Sequence, residues 1–180
     1  IGALLVRRGI GIVPLVGGGA QERGRRGGTE PVALAAGMAR ALELCADRLE
    51  ANGGEDPLED LRDQLLERLL SLPGLRLSGP DPRVGGNRLP HHISLLVSDR
   101  LGRPMAGRDL VRALWQEGVA ASSGSACSSS RAASPVLLAM GCTEQRASSG
   151  IRLSLGPWLS AEELERVAPA LDRAREQVQA

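Results

Sequence analysis

Apolar residues recur along this chain at two different spacings, and each change of spacing marks the edge of an element. Residues 1–6 and 10–15 are short runs rich in leucine and β-branched side chains, parted by the turn-like Arg7-Arg8-Gly9, and they predict two strands. After Pro31 the spacing turns helical: Ala35, Met38, Leu42, Cys45 and Leu49 fall three or four residues apart on one face, and Asn52-Gly53-Gly54 stops the run. Cys45 belongs to that stripe and reads as a small core residue rather than a nucleophile. Asp56-Pro57-Leu58-Glu59 opens a second helix, with a cap, a proline at the first helical position and a carboxylate three residues beyond the cap. Leu58, Leu61, Leu65, Leu69 and Leu72 form its buried stripe, and Pro73-Gly74 ends it.

Beyond that proline the elements shorten. Residues 75–77 predict a strand, 80–88 a polar loop and 93–97 a buried strand. His91 and His92 stand at the entrance of that strand, where adjacent side chains point to opposite faces; they make a poor metal pair and read as turn or surface histidines. Leu110, Leu114 and Trp115 sit at helical positions within 109–117, and Gly118 suits the residue just past a helix end. Residues 119–121 read as a short strand. Ser134-Pro135 starts a brief helix ending at Gly141, next to Cys142, for which only a structural role is read. Residues 148–156 predict a strand carrying Arg152 between apolar neighbours. Ser160 and Glu163 form a capping box, and Leu164, Val167, Leu171, Ala174 and Val178 complete one final amphipathic helix. The alternation of β and α predicts an α/β or α+β fold.

Composition narrows the function classes. Of the 180 residues, 42% are hydrophobic and 24% charged, the balance of a globular protein. A net charge of +1 argues against nucleic-acid and anionic-membrane partners, and two tryptophans as the only aromatics exclude a base-stacking platform. No apolar run reaches the length of a membrane span. Three cysteines without close pairing suit a reducing compartment, and neither cysteines nor histidines show metal-ligand spacing. All 22 basic residues are arginine. The chain starts at Ile1, inside its first predicted strand, which predicts a piece of a longer protein.

Three stretches carry chemistry. Ser122-Ser123-Gly124-Ser125-Ala126-Cys127-Ser128-Ser129-Ser130 sets one thiol among small residues that have almost no apolar area to bury, which predicts a mobile loop with an open sulfur. Gly17-Gly18-Gly19-Ala20-Gln21-Glu22-Arg23-Gly24-Arg25-Arg26-Gly27-Gly28-Thr29-Glu30 combines tight-turning glycines with three arginines and could meet an anionic group. Arg152, among apolar neighbours, predicts an anionic partner, because an unpaired buried guanidinium is costly and its planar fork matches a carboxylate. A thiolate nucleophile, a carboxylate anchor and a phosphate-friendly loop suit an enzyme of amino acids that uses a phosphorylated cofactor.

Taken in order, the 17–30 stretch, Ser122-Ser-Gly-Ser-Ala-Cys127 and Ser148-Ser-Gly-Ile-Arg-Leu-Ser-Leu-Gly156 resemble the C-terminal part of a pyridoxal-phosphate-dependent cysteine desulfurase. The resemblance is to the class V aminotransferase family of fold type I, in the group near the housekeeping and nitrogen-fixation enzymes, and it runs over essentially the whole chain. It implies that residues 1–49 end the large, mostly parallel-sheet cofactor domain and that 50–180 form the small α/β domain carrying the catalytic cysteine loop. It implies that Cys127 attacks the substrate sulfur, giving L-alanine and a persulfide on Cys127. It further implies that Arg152 holds the α-carboxylate of L-cysteine and that Thr29 reaches the cofactor phosphate of the neighbouring subunit in a homodimer. A sulfur-acceptor or iron–sulfur scaffold protein, with iron–sulfur cluster assembly or thiolation downstream, and a cytoplasmic location follow from the same likeness. No stable metal site is implied, Cys127 serving at most as a transient iron–sulfur ligand.

The chain also departs from the pattern. It has no lysine, so the Schiff-base lysine of the cofactor is expected upstream and these residues alone are expected to be inactive. Gly27 replaces a frequent serine, and Ser94 stands where relatives commonly carry an asparagine near the substrate. Two other readings stay open: a non-catalytic sulfur-relay or docking module, and a related pyridoxal-phosphate lyase acting on selenocysteine or cystine.

Overall fold

The computed structural model describes residues 1–124 and 133–179. They fall into two compact units, Ile1–Glu55 and Asp56–Ala180.

In the first unit, α1 (Gln21–Gly24) is a single distorted turn in which Glu22 and Arg23 take positive φ, and α2 (Val32–Ala51) is a 20-residue helix. The strands predicted at 1–6 and 10–15 are absent: a strand needs a partner for its backbone groups, and these residues run as exposed irregular chain. The apolar stripe of α2 is likewise exposed, Cys45 included, contrary to the core position expected for it. Its 3–4 spacing marks a face suited to burial, but no element of this unit packs on that face.

The second unit holds α3 (Leu58–Leu70), β1 (Leu75–Leu77), a 3-10 turn at Pro82–Val84, β2 (His92–Val97), α4 (Gly107–Gln116), α5 (Pro135–Ala139), α6 (Glu144–Ser148), β3 (Gly150–Ser154), α7 (Ala161–Glu165) and α8 (Val167–Gln179). The strands form an antiparallel sheet in the order β1-β2-β3, with Leu75 opposite Val97 and Leu95 opposite Ile151. Strand alternation then sorts the side chains. Leu75, Ile93, Leu95, Val97, Ile151 and Leu153 point inward and pack with Leu65, Leu66 and Leu69 of α3, Leu110 and Leu114 of α4 and Leu171 of α8.

Local signals explain most boundaries. Asp56 Oδ1 accepts from Leu58 N at 3.1 Å at the start of α3. Ser134 caps α5, and the Ser160–Glu163 box forms in full, with Ser160 N donating to Glu163 Oε2 at 2.8 Å. Two expectations fail. The chain at 119–121 forms no strand; only Ser122 bridges Arg152. The last helix is two, α7 and α8, parted at Arg166. Trp115 is 72% exposed, because α4 turns Leu110, Ala113 and Leu114 inward.

Gly107 opens α4 where a Cβ would stand 2.5 Å from the Gly150 carbonyl oxygen of β3. Gly→Ala inside an exposed helix gains up to about 1 kcal/mol, whereas forcing an atom against fixed backbone costs about 1–3 kcal/mol. Gly107→Ala is therefore expected to destabilise this unit on balance, read as a lower urea midpoint.

Candidate functional site

The outer face of the sheet is polar. Register places Ser94 opposite Arg152 and His92 opposite Ser154, on the side away from the core. Arg152 is exposed, which corrects the expectation that its apolar neighbours bury it: Ile151 and Leu153 alternate onto the inner face and leave the guanidinium outside. It has no carboxylate partner among the described residues. Its backbone is tied instead, donating to Ser122 O at 2.7 Å and accepting from Ser122 N at 3.0 Å.

Leu96 and Gly150, further along this face, are covered by a small cluster of Ala133, Leu137, Ala147 and the half-buried Cys142. A Cβ on Gly150 would meet Leu137 Cδ1 at 2.5 Å, so glycine lets α5 close onto the sheet. What α5 leaves open is a cavity of about 340 Å³, bounded by Arg88, His92, Ser94, Gly124, Ser134 and Arg152 among others.

Among the described residues no Asp or Glu lines that cavity, while Arg88 and Arg152 do. Asp81 makes its hydrogen bonds to Arg83, whose Nε and Nη2 stand 3.0 and 2.7 Å from its oxygens and hold its carboxyl down to about 2. Arg88 is half-buried, and burial followed by the charge of Arg62 lowers its pKa below the usual guanidinium value, with the charge of Asp81 opposing in part. Ser78 Oγ donates to Ser94 Oγ at 2.6 Å, fixing the serine beside Arg152. A cationic recess with a guanidinium at its rim is complementary in charge and hydrogen-bond geometry to a carboxylate.

Two residues of this arrangement escaped the sequence reading. Arg62, 2% exposed, donates to Leu89 O at 3.1 Å and to Asp63 Oδ1 at 2.8 Å, clamping the segment that carries Arg88 onto α3. Its position four residues after Leu58 and four before Leu66 was the available signal. His92, expected to be a turn or surface histidine, is half-buried, lines the cavity and meets Arg88. The period-2 pattern of β2 placed it with Ser94, opposite Ile93 and Leu95.

Thr29 is exposed and lies in the first unit, with no hydrogen-bond partner among the described residues. Its loop closes on itself: Gly27 N donates to Val16 O at 2.9 Å, and Arg26 Nη1 donates to Gly28 O at 2.8 Å. Gly27 is buried against Gly17, whose carbonyl oxygen a Cβ would meet at 2.5 Å. Arg26 is thus a structural clamp, and Arg23 and Arg25 share their concavity with Glu22 and Glu30. Cys127 lies outside the described residues, as does Arg131.

The fold and the recess define an α/β domain with an arginine-lined cavity on the outer face of an antiparallel sheet. Residues 2–167 match the class V aminotransferase family, and the chain belongs to it. An IscS-like cysteine desulfurase of Mycobacterium tuberculosis is 41% identical over 160 residues, covering 87% of this chain and 38% of the relative. A cysteine desulfurase IscS of Methanosarcina thermophila is 38% identical over 167 residues, covering 92% of this chain and 39% of the relative. A solved NifS-like protein superimposes with a TM-score of 0.71 at 30% identity, covering 97% of this chain and 41% of that one. The chain therefore spans about two-fifths of the length of the proteins it matches.

Proposed function

We propose that this chain is the part of a cysteine desulfurase that receives the substrate carboxylate and carries the sulfur-accepting thiol. The observation that carries the reading is the acid-free cavity lined by Arg152 and Arg88, opening beside Gly124. Three residues of chain, spanning at most about 11 Å, lead from Gly124 to Cys127. Relatives named cysteine desulfurases supply the substrate: L-cysteine.

Arg152 receives the α-carboxylate in bidentate fashion, setting the substrate's thiol toward the loop that carries Cys127. The Cys127 thiolate attacks the substrate sulfur: a sulfur–sulfur bond forms, the carbon–sulfur bond breaks, and the carbon product leaves as L-alanine after protonation. The persulfide on Cys127 then passes its outer sulfur to an acceptor or iron–sulfur scaffold protein.

Pyridoxal phosphate, when bound, supplies the electron sink for the bond cleaved at the substrate carbon. The fit of this chain to it is confined to the phosphate end. The exposed, unpartnered Thr29 hydroxyl suits a phosphate contact, whereas without lysine the chain cannot hold the group covalently. Thr29 serves the neighbouring subunit of a homodimer in this reading, and the Schiff-base lysine comes from residues outside this chain. Residues 1–49 complete the cofactor domain, and 50–180 are the small domain. The exposed apolar face of α2 supports this, since a helix gains most of its stability by packing such a face. Among the described residues no helix is long and apolar enough to cross a membrane.

The test is to express the whole reading frame that contains this segment and assay it with L-cysteine and pyridoxal phosphate. Alanine released in step with persulfide is the expected result. A cofactor-loaded protein that releases no alanine would overturn the desulfurase and leave a sulfur-relay role.

A further inference from the structure

Arg88 organises the polar wall of the cavity. Its Nε donates to Pro80 O at 3.0 Å, its Nη2 donates to the Ser78 carbonyl, and its Nη1 lies 3.1 Å from His92 Nδ1. A guanidinium has donors only, so Nδ1 is the acceptor and the ring proton sits on Nε2. Nε2 meets no partner among the described residues, and the ring lines the cavity. Register sets His92 diagonal to Arg152 on the same sheet face, a separation of roughly 7–8 Å that long side chains bridge.

We infer that His92 is a second ligand-binding side chain of this cavity: held by Arg88 as the Nε2–H tautomer, it donates to one oxygen of the substrate carboxylate, using the lone pair left free by the bidentate grip of Arg152. This rests on the carboxylate reading of the cavity. Arg88 is then a positioning residue, acting through the imidazole.

Electrostatics agrees with the geometry. Burial first, then the charges of Arg88, Arg152 and His91, push His92 below its ordinary 6.5. Among the described residues no acidic side chain lines the cavity to oppose them. The neutral ring is therefore the form present above pH 6.5, and it is lost only as pH falls through the lowered value. Protonation would place a hydrogen on Nδ1 against the Arg88 donor and break that bond.

The test uses the full-length, cofactor-loaded protein with propionate as the probe, a carboxylate without amine or thiol. Calorimetry reads its dissociation constant, and long-range 1H–15N spectra read the imidazole tautomer. His92→Phe is expected to weaken propionate about 10-fold or more, the scale of one lost hydrogen bond to a charged group. His92→Gln, whose amide N–H takes the place of Nε2–H, should stay within about 3-fold. The wild-type ring should show the Nε2–H signature at neutral pH and shift on adding propionate. If His92→Phe binds propionate like wild type while Arg152→Ala does not, His92 is no ligand and the carboxylate cavity stands. If Arg152→Ala also binds like wild type, the cavity reading itself falls. Should His92→Phe misfold, His92→Gln and the tautomer decide, and an Nδ1–H ring would overturn the inference.

Discussion

Cys127→Ala in the full-length protein is expected to abolish persulfide formation and to lower alanine release at least about 10³-fold, with the cofactor absorbance unchanged. The reason is chemical. The step needs a soft nucleophile at the substrate sulfur, and an alanine methyl cannot bond to it. The other cysteines offer no substitute. Cys142 is half-buried beside Ala133, Leu137 and Ala147, and Cys45 belongs to α2 of the other unit. Cys142→Ala and Cys45→Ala should therefore keep the activity, which separates loss of the nucleophile from a general loss of thiols. Continued release of alanine and sulfide by Cys127→Ala would remove Cys127 from the mechanism.

Arg152→Ala is expected to lower apparent affinity for L-cysteine roughly 100-fold, with a smaller change in kcat. Hydrogen bonds to charged groups contribute about 1.5–3 kcal/mol, and a bidentate pair reaches the upper end. Arg152→Lys keeps the charge without the fork and should recover roughly tenfold of that loss. Stability should stay within about 0.5 kcal/mol of wild type, because the exposed side chain holds nothing in the fold; the backbone makes the bonds to Ser122. A second readout is independent of turnover. The Arg152 charge lowers the His92 pKa, so its removal favours the imidazolium and should move that titration up toward 6.5. An unchanged affinity for L-cysteine would remove Arg152 from the carboxylate site.

Particular residues show how far the chain could be read without its structure. The 3–4 spacing of α3 was legible because a helix lays its apolar residues in one stripe, and four of the buried residues there are leucines. The capping box at Ser160 was legible because its partners are three residues apart. The motif residues Cys127, Arg152 and Thr29 were found through their neighbours in the chain. By contrast, the strands expected at 1–6 and 10–15 failed because β-branched runs mark strand preference and cannot supply a partner. His92 and Arg88 were passed over because they become partners only when β2 and the loop before it are folded together.

The sequence by itself determined what depends on near neighbours: helix caps, helical stripes, the α/β alternation and the three motifs that mark the family. The tertiary structure decided what depends on residues far apart in the chain. Register across β2 and β3 put Arg152, Ser94 and His92 on one face, and α5 closed a recess above it that no acid among the described residues lines. Whether Arg152 is buried was also decided there. Period 2 sends its apolar neighbours to the core and its guanidinium to the cavity, and no count of adjacent residues can tell which face a sheet will cover.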